Sequence, residues 1–312
     1  MMSERSTKSS PKYVFLHLLL VGTLYASVIG FITLLFQYIG FLMPEAVGLD
    51  SYYYRGILET VRGVTAMLVV IFPVFLFVSW LLRKDFEKDP SKREMKIRKW
   101  LLHLTLFIAS IVIIADLITL IYSFLSGEIT TTFLLRILVI LVVTGTAFGY
   151  YLWDIRRNPE RKTNLPKIMA WLVAVIMIIA VSSGFFLIGS PFYQRQVRLD
   201  EERLDDLREI ERKVINYWEK KNKLPAQLSN LEDSISGFIV PTDPEDRVYE
   251  YIITSIQSFD LCATFGTKSL ELEKNITITD SYHSKWLHDS GRVCFERKID
   301  PELHKPRVAE KL

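Results

Sequence analysis

Residues 96–157 read KIRKWLLHLTLFIASIVIIADLITLIYSFLSGEITTTFLLRILVILVVTGTAFGYYLWDIRR. Two apolar runs within it, 100–124 and 133–153, each reach the ~20 residues a helix needs to cross a ~30 Å hydrocarbon core. Only SGEITTT, residues 126–132, separates them, so the pair reads as an antiparallel helical hairpin. In hydrocarbon every backbone polar group must find its partner inside the protein, which makes helix the natural state of such runs.

The same test applied outward finds three more spans, at 13–41, 64–82 and 168–187. The first is long enough to tilt, and the second carries Pro73 as a kink site. The first run also far exceeds the ~7–15 apolar residues of a signal-peptide core. No small-residue cleavage site follows it, so it reads as a span.

Charge divides the 312-residue chain. Residues 1–190 hold 19 of the 38 Lys and Arg but only 12 of the 35 Asp and Glu, a net of +7; residues 191–312 are net −4. An acidic C-terminal part lacks the basic excess that phosphate backbones require, which excludes nucleic acid as its partner.

Basic residues also give an orientation, because cytoplasmic loops retain Lys and Arg. Arg5, Lys8 and Lys12, eight residues in 83–99, and five in 156–167 make sixteen on one side. Arg55 and Arg62 make two on the other. Trp80, Trp100, Trp153 and Trp171 fall at the basic ends of their helices, and Tyr52, Tyr53 and Tyr54 lie at the opposite end. Indole and phenol rings favour such interfaces. The N-terminus is therefore expected in the cytoplasm and, after five crossings, residues 191–312 outside it.

Asp116 stands about 12 residues before the centre of the turn and Arg136 about eight after it, both inside the apolar zone and expected at broadly similar depth. Ionisable groups there are functional candidates by default. Two readings stand open: an ion pair that fixes the hairpin, or a relay in transport. Glu59, Arg55 and Arg62 fall at the outer interface.

Trp100 after a basic cluster, Asp116 within Asp-Leu-Ile, the turn 127–130, Arg136, and Tyr150 with Tyr151 together resemble an uncharacterised bacterial integral-membrane family, a domain of unknown function (5671). The resemblance covers about residues 13–157 and implies a four-helix membrane core, with no activity attached. Ile129 stands where Leu is expected.

Beyond Pro191 the texture changes. Val197, Leu204, Leu207, Ile210, Val214, Tyr217 and Trp218 make one apolar stripe along an otherwise charged segment, 193–222, which predicts an amphipathic stem helix stopped by Pro225. LPAQLSNL predicts a short helix, PTDPEDR a turn, and 248–254, 259–265 and 292–298 three strands. A helix across a small antiparallel sheet is the α+β solution. The stem 203–218, Leu224–Pro225, Asp243–Pro244 and the strand at 249–251 resemble the head of type II secretion pseudopilins over about 185–265. Pilins carry that stem on an N-terminal helix with a processing motif; here it follows a fifth span without one.

Cys262 and Cys294 lie on two predicted strands of a part expected outside the cytoplasm, where disulfides persist. A disulfide is the expected state; the alternatives are free thiols or a metal site completed by His283 or His288. Asp243, Glu245 and Asp246 form an acidic turn, read as an Asp-Pro turn ahead of a calcium loop because alternating ligands are missing. Asn275-Ile276-Thr277 fits a glycosylation acceptor. His304 is expected in solvent. Neither a phosphate loop nor a nucleophile elbow is present, so an enzyme, a metal and a cofactor are not expected.

The organisation expected is thus an N-terminal segment (1–12), a four-helix core (13–157), a loop with a fifth span (158–190), and an α+β domain (191–312). The function expected is a non-enzymatic protein of the cell (inner) membrane. Its outer domain binds, senses or scaffolds an envelope protein partner, the lipid bilayer being the other partner. The alternative is a small transporter using Asp116 and Arg136, and the tail alone suggests a subunit of a secretion machine.

Overall fold

A computed structural model describes residues 11–43, 51–88, 96–156, 164–269 and 285–304. The order is α1 (Pro11–Leu42), α2 (Ser51–Lys88), α3 (Lys96–Ser126), α4 (Thr131–Arg156), α5 (Leu165–Ile188), α6 (Pro191–Lys221), β1 (Glu250–Ile253), β2 (Ser258–Phe265) and β3 (Gly291–Lys298). The chain divides into two compact units, one ending at Ile188 and the other running from Gly189.

In the first unit all five helices are long and apolar enough to cross a bilayer. The α3–α4 hairpin owes its turn to local chemistry. Gly127 takes φ 71°, the left-handed conformation glycine adopts without strain. Its N–H donates to the Phe124 carbonyl, and the Glu128 N–H donates to the Ser123 carbonyl, closing α3. The Thr130 hydroxyl then accepts from the Phe133 N–H at 3.1 Å and opens α4. At the far end of the hairpin Arg98 donates to Asp154 across 2.8 Å.

The helix α2 begins at Ser51, well before the expected start at 64. Hydropathy discounts this segment because it holds Arg55, Glu59 and Arg62. Yet Tyr54, Ile57 and Val61 are buried along it at spacings of three and four, which is one helical stripe. Ile57 and Val61 join Leu34 of α1, Leu68 and Phe72 of α2, and Met177 and Ala180 of α5 in one apolar core. Gly184 lets that core close. A side-chain carbon there would lie 2.7 Å from the Thr65 hydroxyl and 3.0 Å from that of Tyr38. Tyr38 instead donates to the Ala180 carbonyl at 2.6 Å, tying α1 to α5.

In the second unit α6 starts on a cap: the Ser190 hydroxyl accepts from the Tyr193 N–H at 3.1 Å, with Pro191 in the first turn. It stops at Asn222, whose φ of 52° is left-handed and whose N–H returns to the Trp218 carbonyl. The helix thus ends three residues ahead of Pro225, the stop expected from sequence.

One face of α6 packs on a three-stranded antiparallel sheet of order β1-β2-β3. Leu207, Ile210 and Val214 meet Phe259, Leu261, Phe265 and Phe295 in a core that Trp218, Trp286 and Ile299 complete. Each large side chain fully buried there contributes about 1.5–3 kcal/mol. Strand β1 is shorter than the expected 248–254, and LSNL at Leu228–Leu231 is a single 3-10 turn.

Candidate functional site

Near the turn end of the hairpin, α1, α3 and α4 enclose a groove of about 440 Å³. Phe36 comes from α1, Val112, Asp116 and Thr119 from α3, and Phe133, Arg136 and Ile140 from α4. At 1.5 Å per residue, Asp116 lies roughly 15 Å from the end of α3 and Arg136 roughly 8 Å from the start of α4. The carboxylate is therefore more than one turn deeper than the root of the arginine.

That offset keeps the two apart. Both line the groove, but among the described residues no ion pair joins them, contrary to the pair expected from sequence. The Arg136 guanidinium instead reaches along α1, with its carbon 5.9 Å from the Phe36 ring. One of its terminal nitrogens lies 3.5 Å from where a side-chain carbon on Gly40 would stand, and the Tyr53 hydroxyl lies 2.8 Å from that same point. Arginine and tyrosine thus converge over a glycine.

Two polar atoms of the groove are left open. Asp116 is 5% exposed. Its Oδ2 and the Arg136 Nε are buried without a hydrogen-bond partner among the described residues. Thr119, the nearest hydroxyl in the groove, donates to the Ala115 carbonyl of its own helix at 2.9 Å. Buried polar groups are normally satisfied, so an open acid and an open base facing one apolar groove mark a place for something else.

Cys262 and Cys294 face one another across β2 and β3 and are joined as a disulfide. The acidic turn does something sequence reasoning missed. Arg203 of α6 is 0% exposed and lies within three carboxylates. Its Nε donates to Asp243 at 2.6 Å, Nη1 to Asp200 at 2.7 Å, and Nη2 to Glu245 at 2.6 Å. Asp200 also accepts from the Gly266 and Thr267 N–H groups and from the Thr267 hydroxyl. Asp243 and Glu245 thus serve arginine. Burial pushes the Asp243 carboxyl up, but hydrogen bonds from Arg203 and from the Glu245 N–H more than offset it and hold it below the usual range.

Nearby, burial raises the Asp206 carboxyl despite the hydrogen bond it accepts from Tyr249. Burial likewise raises Glu211, although Arg297 lies 2.8 Å away. His288 is buried and stacks on Phe265, ring centroids 3.9 Å apart. His304 reaches Glu219 at 3.1 Å instead of standing free in solvent. His283 and Asn275-Ile276-Thr277 lie outside the described residues. Trp80, Trp100 and Trp171 are more than half exposed on the bundle surface.

Five bilayer-length apolar helices with an apolar groove point to a multi-pass membrane protein. The chain belongs to the family described as a domain of unknown function (DUF5671), whose model matches residues 13–180. The match runs past 157 into α5, in keeping with the packing of α5 on α1 and α2. No curated protein and no solved structure matches the chain.

Proposed function

We propose that this is a multi-pass protein of the cell (inner) membrane. Its N-terminus is cytoplasmic, and residues 191–312 form a non-enzymatic binding, sensing or scaffolding domain outside. The observation that carries the reading is the Cys262–Cys294 disulfide in a compact unit that follows five bilayer-length helices. Disulfides persist in oxidising compartments, and an odd number of crossings from a cytoplasmic N-terminus leads there. The sixteen-to-two distribution of basic residues supports the same orientation. The order stem helix, turn, small antiparallel sheet supports a shared pilin-like architecture, without a case for filament assembly.

Protease added to intact spheroplasts tests the topology. Cleavage within 191–312 is expected, whereas protection of a region that is cut after lysis would overturn it. For the function, crosslinking of the full chain should capture an envelope partner that a chain lacking 191–312 does not. Equal capture by both would count against the reading.

A second reading, a small ion-coupled transporter, is favoured by one observation: Asp116 and Arg136 share a groove and neither has a hydrogen-bond partner there among the described residues. The double change Asp116→Asn with Arg136→Gln should then abolish flux in proteoliposomes, and undiminished flux would end it.

A further inference from the structure

We propose that the groove between α1, α3 and α4 holds one glycerophospholipid, with its phosphate on Arg136 and Tyr53 and an acyl chain along Phe36, Ile140 and Val112. The proposal rests on the membrane reading above and adds a ligand to it.

A guanidinium carries five N–H donors and no acceptor. No described residue accepts from Arg136; its nearest company is the face of Phe36 and the backbone of Gly40. At the edge of hydrocarbon such a group must find an acceptor, and the described residues supply none.

Arg136 stretches toward the end of α1, the level at which headgroups begin, as long basic side chains do. Tyr53 brings an O–H to the same spot from α2: its hydroxyl and an Arg136 terminal nitrogen lie 2.8 and 3.5 Å from the point a Gly40 side-chain carbon would occupy, so glycine is what lets the two donors approach each other. Two donor groups this close suit a phosphate oxygen on their open side, which arginine binds with charge-assisted hydrogen bonds.

Away from Asp116, Thr119 and Arg136, the walls of the groove are Phe36, Ile111, Val112, Ala115, Ile137 and Ile140, which offer no polar side-chain atom. Water gains little along that apolar stretch, since a buried water needs two to four polar partners. A hydrocarbon chain fits it. The open carboxyl of Asp116, more than one turn deeper than Arg136, then lies at the level of the ester groups, where its protonated form can donate to an ester carbonyl.

Native mass spectrometry of the full chain, extracted from mixed phosphatidylglycerol and diacylglycerol vesicles, tests this. One phosphatidylglycerol per chain should resist collisional stripping, and diacylglycerol should not. Arg136→Gln should lower that retention about tenfold, the value of one charged hydrogen bond, with Arg136→Lys in between.

Equal retention of both lipids, or unchanged retention in Arg136→Gln, overturns the proposal. Displacement by millimolar inorganic phosphate would make free phosphate the ligand and also overturn it. A wild-type arm does not depend on variant folding. Phosphatidylglycerol with a photoreactive acyl chain should label Val112 or Ile140; labelling confined to α2 and α5 counts against the site. Release of the chain by alkaline carbonate without detergent would instead defeat the membrane reading itself.

Discussion

Two arginines, Arg203 buried at 0% exposure and Arg136 part-buried in an apolar groove, solve the same problem in opposite ways. Arg203 spends its donors on Asp200, Asp243 and Glu245, all within 3.3 Å, in a site closed to solvent on the arginine side. Arg136 shares a groove with an aspartate and bonds neither to it nor to any other described residue. A complete network rigidifies and leaves nothing to recruit, whereas an incomplete one invites an outside partner. The difference teaches that charge in an apolar setting becomes a functional signal only after its hydrogen bonds have been counted.

The contrast breaks most sharply at Arg203. Replacing it by Met leaves Asp200 and Asp243 buried without their cation, which should cost about 3–5 kcal/mol. Hydrogen exchange across 191–269 in the full chain would read the loss. Replacing Asp200 and Asp243 by apolar residues as well should recover part of it, because removing both partners costs less than removing one. Removal of the disulfide by Cys262→Ala with Cys294→Ala comes next. A loop closed over a separation of 32 residues is worth roughly 3–4 kcal/mol, and the loss should be confined to exchange in the second unit.

Acid should act on the second unit in two stages. Asp206 and Glu211 are raised by burial, so the folded state binds protons before the unfolded one does. Stability therefore rises as pH falls from neutral toward the ordinary carboxylate range. Asp243 is held below that range, so its contribution is present above it and is lost as pH falls through the depressed value. Urea midpoints measured against pH should pass through a maximum; a steady decline from neutral pH would contradict these assignments.

The smallest effect is expected at Arg136. Arg136→Gln removes no hydrogen bond to a described residue, so exchange in α3 and α4 should shift by less than about 1 kcal/mol. A loss as large as that of Arg203→Met would erase the comparison.

Much of the architecture is legible in the sequence. Long apolar runs declare α1, α3, α4 and α5, because hydropathy is the property being read. It fails over 51–63, where Tyr54, Ile57 and Val61 form a stripe too narrow to lift the average. Cys262 and Cys294 announce themselves by compartment and strand pattern. The arginine lock does not, since Arg203 and Asp243 are 40 residues apart. A signal was nonetheless present: Asp200 and Arg203 continue the spacing of Leu207, Ile210 and Val214 toward the start of α6, which sets both charges on the buried face. At Asp116 and Arg136 the sequence fixes both positions but not their company, which depends on where α1 and α2 pass.

The bridge between β2 and β3 joins residues directly opposite one another, Cys262 to Cys294, in a ladder that runs from Ser258 against Lys298 to Phe265 against Gly291. Slipping one strand by a single residue would turn every side chain of β3 to the other face and carry the second sulfur away from the first. Oxidation therefore acts as a proofreading step: the bond closes on correctly aligned strands, and a slipped ladder leaves both thiols open to alkylation.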